Sequence, residues 1–129
     1  MKGKQLIFVY NADNNLFSSI TDFAHKILSP STYQCQLCKL TYGNLTMKQE
    51  WKSFIQNLTI ESVFLHKNEF LREYKTEALF PAVFMRESNT IKSFITKDEI
   101  EKINSLGDLK ELVSDKLKIY DQHHHTNLQ

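Results

Sequence analysis

Glycine is scarce in this chain. Gly3, Gly43 and Gly107 are the only three in 129 residues. None lies close enough to another to form G-x-G-x-x-G, and the pattern G-x-x-x-x-G-K-[ST] is missing, so phosphate cradling by a glycine-rich loop, and with it P-loop GTPase chemistry, is excluded. A surplus of one charge is also missing. Sixteen basic and fifteen acidic side chains leave a net charge of +1, which provides no electrostatic drive toward nucleic acid or an anionic membrane. No apolar run approaches the roughly 20 residues that span a bilayer. The short run Leu6–Tyr10 is followed by polar Asn11-Ala12-Asp13-Asn14 rather than a small-residue cleavage site, unlike a secretory leader. These features lead us to expect a soluble cytoplasmic protein that binds neither nucleic acid nor membrane.

Hydrophobic residues at 41% and charged residues at 24% are ordinary for a globular chain, and the length suits one domain. Residues 5–10 predict a strand buried on both faces, because Leu6–Tyr10 are continuously apolar, β-branched and aromatic. Leu16, Ile20, Phe23, Ala24, Ile27 and Leu28 recur at helical spacing, and Ser29-Pro30-Ser31 ends that helix. From Thr32 to Asn44 there is no clear period. Thr46-x-x-Gln49 can open a helix through a capping box, with Met47, Trp51, Phe54, Ile55 and Leu58 facing inward. Residues 62–65 predict a short strand ending at His66. Asn68 can cap a helix with Phe70, Leu71 and Tyr74 inward.

Residues 80–85 read as a strand with a proline at its start, where the missing donor is tolerated. Residues 91–95 pair with it as a hairpin. Thr96-x-x-Glu99 is a second capping box, and Ser105 caps a final helix faced by Leu109, Leu112, Val113, Leu117 and Tyr120. From Asp121 to Gln129 the chain reads as a disordered polar tail. The consecutive His123, His124 and His125 there are a poor metal site and are set aside. Strands separated by helices predict a parallel pair, the hairpin adds antiparallel strands, and helices should cover both faces of a four-stranded sheet.

Cys35-Gln36-Leu37-Cys38 is the one motif with evident chemistry. Two thiols spaced this way can close a disulfide, ligate one metal, or pack as small apolar side chains. Exchange chemistry needs an attacking thiolate, here Cys35, and a resolving thiol, here Cys38. Lys39 and His25 are candidate cations to favour the thiolate. Zinc needs about four ligands. His25 and His66 are the only histidines outside the tail, so His25, Cys35, Cys38 and His66 form the alternative metal set. No other cofactor is implied. His66 ends a strand, where open sheets bind ligands, although a surface histidine there is commonly just hydrogen-bonded. Asn11 and Asp13 follow the first strand, where they could contact a ligand or anchor a neighbouring loop, and most simply serve as turn and cap residues. Trp51 reads as core, and Asp98 with Lys102 as one solvated helix face.

The order of elements resembles the thioredoxin-like fold, βαβαββα. The residues that carry the likeness are the buried strand Leu6–Tyr10, Pro81 opening the third core strand, and the helix after the hairpin. The resemblance implies a three-layer α/β sandwich over residues 1–120, with a cysteine-bearing insertion at about 29–60. It also implies a cis proline beside a redox-active disulfide, and a protein or thiol substrate. The family places CxxC directly after the first strand. Here Asn11–Asn14 stand in that place and the CxxC follows the first predicted helix, so position alone does not transfer the catalytic cysteines. The runs His25–Pro30 and Tyr33–Cys38 are also similar to a group of small uncharacterised bacterial proteins.

Overall fold

The computed structural model describes residues 3–11, 35–43 and 46–127. The helix expected over Leu16–Leu28, with Asp13, His25 and Pro30, lies outside them. The described elements are β1 (Lys4–Tyr10), α1 (Gln36–Thr41), α2 (Gln49–Gln56), β2 (Glu61–His66), α3 (Lys67–Tyr74), β3 (Ala82–Glu87), β4 (Thr90–Ile95), α4 (Lys97–Glu101) and α5 (Leu106–Asn127).

The fold is α/β, with an open mixed sheet in the order β2-β1-β3-β4. β1 pairs in parallel with β2, Tyr10 opposite His66, and antiparallel with β3, Val9 opposite Ala82. Burial on both faces explains why β1 is a continuous apolar run rather than an alternating one. Its side chains divide with the two-residue period of a strand. Leu6, Phe8 and Tyr10 enter one cluster with Val83, Met85, Trp51, Ile100, Leu109, Val113 and both cysteines. Ile7 and Val9 enter a second with Phe70, Phe80, Ala82 and Phe84. Helices α1, α2, α4 and α5 therefore supply the first face, and α3 supplies the second. Among the described residues no helix is long and apolar enough to cross a membrane.

Several boundaries differ from expectation for identifiable reasons. Helix α1 occupies a stretch without readable period: it is under two turns long, and Leu37, Cys38, Leu40 and Thr41 are all buried, so no single apolar stripe exists. The Thr46 capping box does not form. Thr46 instead accepts a bond from the Gly43 amide at 2.8 Å, Met47 bridges Tyr42, and α2 begins at Gln49 with Lys48 as its cap. The cap of α3 is His66 rather than Asn68, with Glu69 accepting from the His66 amide at 2.8 Å. Leu71 is 39% exposed rather than inward, because Phe70 and Tyr74 at i,i+4 form the buried stripe of this short helix.

β3 starts two residues later than expected, after Phe80–Pro81. The polar segment from Asp121 is not a disordered tail as far as Asn127, because α5 continues to that residue. No glycine or proline follows Gly107 to stop it. The Thr96 and Ser105 caps form as expected, accepting from Glu99 N at 3.2 Å and Asp108 N at 3.1 Å.

Candidate functional site

Cys35 and Cys38 are joined as a disulfide, with Cα atoms 5.2 Å apart. Cys35 is the N-cap of α1, in extended conformation. Its Sγ accepts the Cys38 amide at 3.2 Å and the Asn11 amide at 3.3 Å. The second contact matters for placement, because it brings a cysteine 24 residues away in sequence to the end of the central strand. Asn11 was expected to act through its side chain as a turn or cap residue; toward the disulfide it acts through its backbone. Both cysteines are only 1% exposed, within the cluster that also holds Tyr10 and Trp51. The packed-side-chain reading is thus correct as to burial, while the pair is covalently bonded.

The neighbours follow from register. Tyr10, opposite His66 on β2, has its ring centroid 6.0 Å from the His66 ring and 5.7 Å from Tyr42, just past α1. The Phe80–Pro81 peptide is cis and precedes Ala82, the partner of Val9. The disulfide, His66 and Pro81 accordingly share the sheet edge at which β1 ends. An open cleft of about 740 Å³ at that edge is lined by Asn11, Lys67, Leu71, Leu79 and Phe80, among others, and Leu79 is 72% exposed.

The remaining candidates separate. His25 and Asp13 lie outside the described residues. Lys39 is exposed in the last turn of α1. His66 Nδ1 is paired with Glu69 Oε1 at 2.8 Å. Zinc ligation needs free thiolates, whereas here the two sulfurs are bonded to each other, and among the described residues no group of three or more His, Cys, Asp or Glu side chains gathers. Gln36 was overlooked in the sequence. Its Nε2 donates to the Ile103 carbonyl at 2.6 Å, and its position between two cysteines was the only available signal.

No protein family, characterised protein or solved structure matches this chain.

The His66–Glu69 pair makes the site's edge acid-sensitive. The His66 amide, and then its ring, hold the Glu69 carboxyl below the usual range, against a smaller opposing effect of burial. A depressed folded-state value means that the carboxylate stabilises the fold above the ordinary glutamate range, near pH 4.3. That contribution disappears as pH falls through the lower folded value. The urea midpoint of wild type should therefore exceed that of Glu69→Gln most clearly above about pH 5, and the gap should narrow toward pH 3. A gap independent of pH is the outcome against this assignment.

Proposed function

We propose that this chain is a thioredoxin-like, three-layer domain of a reducing compartment such as the cytoplasm, in which Cys35 and Cys38 carry thiol–disulfide exchange. The observation that carries the reading is the pair of amide donors, Asn11 and Cys38, on one sulfur. Backbone N–H groups at a helix start stabilise negative charge on sulfur, which assigns attack to Cys35 and resolution to Cys38. The mixed sheet and the disulfide at the end of β1 support it. Cys35 sits against the amide of Asn11, the residue that follows β1, and the resemblance expects its active-site pair after that strand.

In the forward direction the Cys35 thiolate attacks a partner disulfide, forming a mixed disulfide and releasing one partner thiolate. Cys38 then loses its proton to solvent and attacks the Cys35 sulfur. The Cys35–Cys38 bond forms, the second partner thiolate leaves, and the partner has gained two electrons. The exposed Leu71 and Leu79 beside Asn11 offer an apolar footing for a protein partner. Because both sulfurs are buried, local opening should limit the rate.

The test uses an aromatic disulfide probe with a dithiol as reductant. Wild type should reduce the probe catalytically, Cys35→Ser should lose this activity, and Cys38→Ser should accumulate a mixed disulfide visible by intact mass. Cys35→Ser turning over at the wild-type rate would eliminate the proposal. The 1% exposure of both cysteines favours a second reading, a partner-binding domain stapled by an inert disulfide. Native-state cysteines that resist both reduction and alkylation would favour that reading.

A further inference from the structure

The residue between the two cysteines is tied to a distant part of the chain. Gln36 bonds Ile103, 67 residues away. Ile103 lies in the connection between α4 and α5 and is buried in the same cluster as Cys35, Cys38, Ile100, Leu109 and Val113. Among the described residues several attachments converge on α1. They include Asn11 at the end of β1, the Lys48 amide on the Thr41 carbonyl at 2.8 Å, and the C-terminal helices through Gln36. A six-residue helix has too few internal bonds to hold itself, so these attachments set its position.

Opening the disulfide changes the space that α1 requires. Bonded sulfurs sit about 2 Å apart, whereas non-bonded heavy atoms need about 3.5–4 Å. Both cysteines are 1% exposed, so in a close-packed interior neither sulfur reaches water without local opening. The added separation is taken up by movement of α1 against its neighbours. β1 is held by hydrogen-bond ladders on both sides. Among the described residues the hydrogen bond between α1 and the α4–α5 connection is the one from Gln36, so that contact is expected to yield first.

We propose that the Cys35–Cys38 pair is a switch acting on the docking of α4 and α5: the disulfide holds α1 against Ile103, and reduction releases it. The proposal rests on the redox reading of the pair. A dithiol reductant opens the bond, each sulfur gaining one electron and one proton while the reductant closes its own disulfide. Coupling is reciprocal, so loosening α5 makes the pair easier to reduce.

Amide hydrogen exchange on the full chain tests this, with the oxidised protein compared against the protein held in excess dithiothreitol and the redox state read from intact mass. Amides of residues 100–113 should exchange about tenfold faster after reduction, within the range typical of coupled sites, while the β1–β3 ladder stays unchanged. In Gln36→Ala the oxidised protein should already exchange fast over 100–113, so the redox difference shrinks. Equal exchange over 100–113 in both states overturns the proposal, as does acceleration spread equally over the sheet. If dithiothreitol fails to open the pair, the redox reading fails separately. The coupling is then read from Cys38→Ser, which cannot form the bond, and wild-type exchange over 100–113 in that variant overturns it. Should Cys38→Ser not fold, Gln36→Ala exchanging like oxidised wild type has the same force.

Discussion

Phe70→Ala should lower stability by about 3–5 kcal/mol, the range for truncating a buried aromatic residue, and should do so on one face of the sheet only. Phe70 is fully buried. It stacks on Phe84 at 4.6 Å, meets Phe80 edge-on at 5.6 Å and leans on Tyr74 at 5.1 Å. Among the described residues α3 is the helix of that face, and Phe70 is its one buried side chain. A two-turn helix has little stability of its own, so removing its anchor releases the helix as well as opening a cavity. Urea unfolding measures the loss. Exchange in oxidised protein locates it, with α3 amides accelerated and those of α1 following only the global change. A loss below about 1 kcal/mol, the level of an ordinary substitution, would mean that other contacts hold α3.

Trp51→Ala should be comparably severe on the opposite face, again about 3–5 kcal/mol. Total stability for a domain of this kind is about 5–15 kcal/mol, so either change consumes a large share. Trp51 is the chain's only tryptophan and is fully buried. It packs edge-on to Phe8 at 5.6 Å and stacked on Phe54 at 5.5 Å. It therefore fastens α2 to the central strand within the cluster that holds the disulfide. Its Nε1 is buried without a hydrogen-bond partner among the described residues, and an unsatisfied buried donor itself costs free energy. Trp51→Phe should consequently be far milder than Trp51→Ala, because it removes that donor while keeping most of the ring contact. Equal losses in the two variants would show that the indole's full size, rather than its aromatic packing, sets the stability.

The sheet was legible in the sequence because its signals are local. An unbroken apolar run marks β1 as a strand buried on both faces, the period-two segment 91–95 marks β4, and short-range capping patterns mark α4 and α5. Each depends on residues a few positions apart, as does the assignment of Trp51 to the core. The errors share one physical cause. The Thr46 cap failed because Thr46 and its neighbours are engaged by Tyr42 and Gly43, and a tertiary contact outweighs a local preference worth about 1 kcal/mol. Leu71 faces outward because α3 is short enough to bury only one stripe.

The CxxC divides along the same line. Its spacing alone establishes that two sulfurs can reach one another across about one helical turn, and that redox, metal and packing roles are all open to them. That the Cys35 sulfur receives a second amide donor depends on Asn11, 24 residues away. The link from the motif to the C-terminal helices depended on Ile103, 67 residues away. Contacts at such separations follow from how β1, α1 and α5 pack into one core. No pattern of neighbouring residues encodes that packing, so only the tertiary structure decided it.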